Sequence, residues 1–479
     1  MNRGRNSGSA IVETWVRCTP GVIPGVISCM YFSLHTTRCW SRLLASIPIA
    51  LIALSIGGLP VQGVAKGQAA QGKEKTSAQL LKSGMSAYGK KDYALAAKLL
   101  QEAVAKGATD VDALYNTACA LALSGESEKS FQFLEKTIQA GYRNPTHLKY
   151  DVDFNSLHDD PRWQKIVDLC ETAFAKFQKE RSDPANARFI TTDITRFWSA
   201  YDKVIAAPVE EREAILQHEY IDGATVGLRD FAGSGRLNAK ALAQKLASHG
   251  GFFRAIRPLT LGLDSQRAAT IAAFGKLKEL YSYALFPDAY FVIGQLSSGG
   301  TSSSNGLLMG AEMFARSSGV PTAELSEWEK GAIMPPSDIP PLVAHESIHF
   351  QQKFLSQGGL LCSCLIEGGA DFVGKLASGR LISRMEETHA WANVRERELW
   401  EEFFKEMDAK DTSRWLYGKS GGNGRPVDLG YWMGFKITEA YYNNAADKKQ
   451  ALRDMMIVTD CKRFLQNSRY PEKFGASAR

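Results

Sequence analysis

The feature that most constrains this chain is the run His345-Glu346-Ser347-Ile348-His349, followed by Glu367 and Asp371. On a helix, residues at i and i+4 share a face, so the two histidines point the same way. They can hold one metal ion between them, with Glu346 beside it. Glu367 follows in the segment Glu367-Gly368-Gly369-Ala370-Asp371-Phe372. Two imidazoles, one carboxylate and an open fourth position are the ligand set of a catalytic zinc ion. The spacing predicts a helix over 339–355 and a second over 361–377. The turn Ser356-Gln357-Gly358-Gly359 folds the second back on the first. Gly368 and Gly369 carry no side chains, so the same reading has these two helices approach closely. Asp371 lies four residues after Glu367, on the same face, and is placed to accept the outer N–H of a liganding histidine.

The chemistry expected of such a set is hydrolysis. Zinc brings the pKa of a bound water to about 7. Glu346 is the candidate general base for that water, and Tyr431 the candidate partner for the developing oxyanion. His389 is a weaker candidate, because it lies on a glutamate-rich helix that reads as solvated. The expectation is a peptidase with one Zn2+ per chain, held by His345, His349 and Glu367, with Asp371 behind them.

At this point the chain resembles the gluzincin group of zinc peptidases. Their HExxH, glutamate and later aspartate fall on His345, Glu346, His349, Glu367 and Asp371. The segments Tyr290-Phe291-Val292-Ile293-Gly294 and Tyr431-Trp432-Met433-Gly434 are similar to those of bacterial predicted zinc-dependent proteases of unknown function. The resemblance implies a zincin-like catalytic domain over about 187–470. Gly310-Ala311-Glu312-Met313-Phe314 loosely resembles the Gly-x-Met-Glu-Asn strand of zinc aminopeptidases. That likeness implies, as an alternative activity, an aminopeptidase in which Glu312 binds the substrate amine. A third reading is a catalytically inactive scaffold whose repeats bind a protein.

The repeats precede the metal motif with a 34-residue period. Leu80 matches Leu114, Gly84 Ala118, Ala96 Ser130, Leu100 Leu134, Ala103 Thr137, and Gly107 Gly141. This period resembles the tetratricopeptide repeat and implies all-α helical hairpins over about 78–178. Trp163, Ile166, Val167 and Cys170 are read as the face of a capping helix. A polar stretch with Pro184 then marks a boundary. Beyond it, Ile194, Phe197, Trp198, Tyr201 and Val204 recur at helical spacing. Tyr290–Ile293 reads as a strand, and 307–314 as the other arm of a hairpin across a Ser/Gly-rich loop. The segment 307–313 is expected at the sheet edge, where it could pair with an extended peptide. The fold class expected is therefore multidomain: helical repeats followed by an α+β zincin-like domain.

The N-terminus accounts for most of the charge. The 479 residues carry a formal +6, but residues 1–65 hold five arginines and one glutamate. The remainder is close to neutral, which gives no case for a nucleic-acid partner. No charged residue falls between Leu43 and Ala65, and Arg38 and Arg42 precede that run. This reads as a signal peptide or N-terminal extension over 1–65, with its apolar region at about 43–58, then a linker over 66–77. The protein is expected to be exported, either periplasmic or secreted. If the run is not cleaved, it would anchor the chain in the inner membrane. No cysteine sits just after the apolar run, which argues against lipid attachment there. Cys119, Cys170, Cys362, Cys364 and Cys461 lie beyond it, and the sequence does not choose a pair among them. A peptide or protein substrate, and a protein partner through the repeats, complete the expectation.

Overall fold

The computed structural model describes residues 75–354, 358–418 and 424–475. The expected signal segment and most of the linker lie outside them. The described residues are mostly helical, with a small four-stranded mixed sheet and a separate two-stranded one, and they form one compact unit.

Four helices open this unit: Ser77–Gly89, Tyr93–Ala105, Val111–Leu123 and Ser127–Gln139. The first and third begin 34 residues apart, as do the second and fourth. Each of the first three starts where a side chain meets an otherwise unpaired N–H. Thr76 forms a capping box with Gln79, and Asp92 and Asp110 accept from Leu95 and Ala113. Small residues make the helix contacts: Ala96, Ala103 and Ala118 are fully buried. The next turn is irregular. A short helix at Pro145–Tyr150 and a 3-10 turn at Val152–Leu157 lead into the long helix Pro161–Arg181, which buries Trp163, Ile166, Val167 and Cys170.

The helical stack has its own apolar core, distinct from the larger one that follows. Its last helix nevertheless meets the rest of the unit. The Arg181 guanidinium pairs with buried Asp288, which also takes Arg188. The Phe177 ring lies 6.2 Å from that of Phe350, next to His349.

The main sheet runs in the order β1 (Phe189–Ile190), β2 (Ala289–Val292), β4 (Gly306–Gly310), β3 (Gly300–Ser303). β1, β2 and β4 are parallel, and β3 is antiparallel to β4. The hairpin expected between 290–293 and 307–314 therefore does not form. It lies inside the Ser/Gly-rich loop, between β3 and β4. Parallel neighbours need a crossover, and here residues 293–305, which include β3, provide it. β4 is interior and buried along its length, while the half-exposed edge strand is β3. A second, minimal sheet pairs β5 (Lys353–Phe354) with β6 (Ile457–Val458).

Against the sheet lies the helix Ile339–Gln351, which carries both histidines, here called the histidine helix. Gln351 anchors it, accepting from Leu285 N and donating to Leu285 O. The carboxylate helix, Leu360–Ser378, follows. Its tight neighbour is not the one expected. Gly368 faces Gly434 and Phe435 of the helix Leu429–Asn444, where a side chain on either glycine would collide with backbone. The approach to the histidine helix is made by Gly374, where an added Cβ would lie 3.1 Å from the His345 nitrogen. Cys362, in the first turn of the carboxylate helix, is disulfide-bonded to Cys461, while Cys119, Cys170 and Cys364 are free and buried.

Candidate metal centre

The histidine and carboxylate helices bring three ligand atoms to one point. The Nε2 atoms of His345 and His349 lie 3.0 Å apart. Glu367 Oε2 lies 3.5 Å from the first and 3.2 Å from the second. A tetrahedral zinc ion with bonds of about 2.0–2.1 Å would separate its ligands by about 3.3 Å. The three observed edges bracket that value, so the donor set fits zinc in size as well as in chemistry.

The outer atom of each ligand is already engaged. His345 Nδ1 bonds Asp371 Oδ1 at 2.8 Å, which fixes the ring with Nε2 inward. His349 Nδ1 bonds Gln352 Oε1 at 2.8 Å, and Gln352 in turn donates to Ile366 O on the carboxylate helix. Tyr417 donates its hydroxyl to Glu367 Oε1 at 2.5 Å, leaving Oε2 to face the histidines. Such outer contacts orient metal ligands and raise their basicity.

Burial works to lower the His345 pKa, but hydrogen bonds from its ring to Asp371 and Glu367 raise it well above the usual value. His349 is raised too, chiefly by Glu367 acting against burial. Burial would raise the Glu367 pKa, but the two histidines hold it well below the usual carboxylate range.

The remaining candidates are distributed as follows. Glu346 is buried and lies against β3, where a Cβ on Gly300 would fall 2.6 Å from its Oε1. Tyr431, on the Leu429–Asn444 helix, stacks 6.1 Å from the His345 ring. Asp371 Oδ2 and His389 Nε2 are both buried without a hydrogen-bond partner. His389 is thus not a solvated residue. Its ring sits edge-on to Phe435, and burial pulls its pKa down to about 4.

Glu312 is outside this centre. It lies in a 3-10 turn after β4, fully buried, and its carboxylate accepts from Gly294 N and Leu296 N. Burial pushes its pKa up to about 7. It pins the 294–296 turn, where Leu296 has φ 59°. Fully buried, Glu312 is not presented at an accessible surface, and β4, being interior, offers no edge to a peptide.

Gln352 and Tyr417 are the residues that sequence reading missed. Gln352 follows His349 by three positions and was accessible to a spacing argument. Tyr417 is 50 residues from Glu367, on an irregular segment, and no pattern points to it.

Residues 76–177 match the family model described as an A/B hydrolase-like N-terminal domain. Residues 256–472 match the model of gliding motility protein GldB, a lipoprotein family. Each match covers less than half of the chain. No curated protein and no solved structure matches.

These matches overturn the peptidase reading. The HExxH helix and Glu367 fall inside the segment that matches the model of gliding motility protein GldB, and not inside one that matches a gluzincin model. The helical stack likewise matches an A/B hydrolase-like N-terminal domain rather than a tetratricopeptide family. Neither match is to a zinc metallopeptidase, so the protease, metalloprotease and aminopeptidase assignments are withdrawn. The physical reason lies in what the motif encodes. HExxH with a later glutamate specifies ligands and their orientation, whereas turnover also needs a substrate site that the motif does not describe. Among the described residues, no helix is long and apolar enough to cross a membrane.

Proposed function

We propose that this chain is a non-catalytic, envelope-associated protein that works by binding other proteins. In this reading His345, His349 and Glu367 hold one zinc ion that receives a ligand rather than activating water for hydrolysis. The observation that carries the proposal is the match of residues 256–472, which include the whole ligand set, to a gliding-motility lipoprotein family. A partner within an envelope assembly is the corresponding expectation.

Further features support it. The apolar run at 43–58, preceded by arginines, suits export or membrane anchoring. The Cys362–Cys461 disulfide suits an oxidising compartment. Stacked helical hairpins offer extended faces of the kind that bind partners.

The test uses purified full-length protein of known zinc content. It is incubated with a peptide library, with and without chelator, and the products are read by mass spectrometry. The expected result is no chelator-sensitive cleavage. Cleavage at defined positions, abolished both by chelator and by Glu346→Gln, would overturn the scaffold reading.

A further inference from the structure

We infer that the Cys362–Cys461 disulfide sets the metal affinity of the centre, so that zinc is held tightly only while these two cysteines are oxidised. The inference rests on the zinc reading above and adds its regulation.

Ligand geometry at the centre depends on how the histidine and carboxylate helices are joined. The joining stretch runs from Gln352 to Cys362. At its start, Gln352 holds His349 Nδ1 at 2.8 Å and donates to Ile366 O at 3.0 Å. It thus links a ligand of one helix to the backbone of the other. At the far end, Cys362 lies in the first turn of the carboxylate helix, five residues before Glu367. One C-terminal segment fastens both ends. β6 pairs with β5, the two residues directly after Gln352. Three residues beyond β6, Cys461 is bonded to Cys362.

A ladder of two two-residue strands is marginal by itself. The covalent bond keeps residues 457–461 beside the joining stretch, and so keeps the ladder formed. Once the bond is broken, the ladder depends on its own few hydrogen bonds, and Gln352 gains freedom to leave the His349 ring. His349 then loses the contact that aims its Nε2 at the ion. The other ligands have separate supports. Leu360 N and Leu361 N donate to Ala409 O and Met407 O, which hold the start of the carboxylate helix, and Asp371 orients His345. The loosening therefore falls on Gln352 and His349.

The chemistry is thiol–disulfide exchange with a dithiol. A thiolate of the dithiol attacks one sulfur of the Cys362–Cys461 bond, and the other cysteine leaves. The second thiol of the reductant then displaces the first cysteine from the mixed disulfide. Two electrons and two protons end on the cysteines, and the reductant becomes a cyclic disulfide. Both cysteines are buried, so the exchange is slow in the folded chain and is followed to completion by counting thiols.

The experiment measures the zinc dissociation constant of the full chain by competition with a chromogenic chelator. Oxidised wild type, wild type reduced with a dithiol that is then removed, and the double variant Cys362→Ser/Cys461→Ser are compared. Reduced wild type and the double variant should each bind zinc about 10- to 100-fold more weakly, the range for loss of an outer contact. Reoxidation of the reduced protein should restore the original value. A mutant cycle tests the route. Gln352→Leu should weaken zinc in the disulfide-bonded chain and add little in the double-serine chain, whereas Asp371→Asn should cost the same in both. A Gln352→Leu effect of equal size in both chains would overturn the inference. So would equal affinity in oxidised and reduced wild type with both thiols released, a result that leaves the metal site standing. That comparison carries the test if the double variant does not fold. A wild-type chain that takes up no zinc would overturn the metal reading, and the inference with it.

Discussion

Among the described residues, two groups of side chains bring three potential metal-ligating atoms within 4.8 Å of one another: His345, His349 and Glu367, and, in the helical stack, Cys119, Asp151 and Asp153. By ligand type and distance the two look alike, but their hydrogen bonds separate them. In the stack, donors face inward. Tyr88 donates to Asp153, Tyr115 donates to Asp151 at 2.7 Å, and the buried Cys119 thiol bonds Asp153. The carboxylates there are already satisfied by protein. In the first group, Asp371, Gln352 and Tyr417 take the outer atoms and leave His345 Nε2, His349 Nε2 and Glu367 Oε2 facing one another. A metal site is defined less by its ligands than by where their second hydrogen bonds go.

The largest expected effect tests this distinction directly. Wild type should bind about one zinc ion per chain. His345→Ala and His349→Ala should each abolish tight binding, while Cys119→Ala and Asp153→Asn should leave the stoichiometry unchanged. Metal analysis of the purified proteins decides. Zinc lost from Cys119→Ala and kept in His345→Ala would reverse the assignment of the two groups.

A smaller effect is expected from the outer contacts. Asp371→Asn, Gln352→Leu and Tyr417→Phe should each weaken zinc by about 10- to 100-fold without emptying the site. The affinity should also depend on pH. In the metal-free protein His345 and His349 hold their protons above the usual range, and zinc must displace them. Affinity should therefore fall as pH falls, and binding should release protons. Calorimetry in two buffers of different ionisation enthalpy measures that release. Binding that releases none would remove the electrostatic account.

The convergence of His345, His349 and Glu367 was legible in the sequence, because a helix converts spacing into direction. His345 and His349 had to share a face, and Asp371 had to follow Glu367 onto one. The 34-residue offset between helix starts was legible for a similar reason, since small residues recur wherever helices touch. What stayed hidden depended on contacts distant in sequence. Nothing near Gly368 shows that its neighbour is Gly434, or that Gly374 takes the place beside His345. Nothing local to Tyr417 points to Glu367. The Tyr290–Ile293 strand was visible, but its pairing was not: period-two patterns give faces, whereas strand order is set by the whole chain. Glu312 misled because its sequence context suggested an exposed edge, while burial and two backbone N–H groups had already claimed it. Function was the least legible of all, because the same ligand geometry can serve binding or turnover.

The smallest expected effect concerns the stack, where the comparison also predicts a sign. Burial raises the Asp153 pKa, and neighbouring Asp151 adds to it, against the lowering effect of the Tyr88 hydroxyl. A carboxyl whose folded pKa lies above its unfolded value contributes stability below the unfolded pKa, and that contribution is lost as pH rises through the folded one. Glu367 has the opposite sense in the metal-free protein. Its folded pKa is depressed, so its contribution is present above the ordinary value and is lost as pH falls through the depressed one. Asp153→Asn keeps an acceptor for Tyr88 and removes the charge. Its melting temperature relative to wild type should therefore rise between pH 4 and pH 8, by an amount on the scale of about 1 kcal/mol. Glu367→Gln, measured without metal, should instead lose stability relative to wild type across the same range, because it removes a carboxylate that two cationic imidazoles hold in place. Thermal melts of both variants at four or five pH values measure the two slopes. If the slopes share a sign, the tyrosine-capped group and the histidine-flanked group do not differ electrostatically, and the contrast between them would rest on geometry alone.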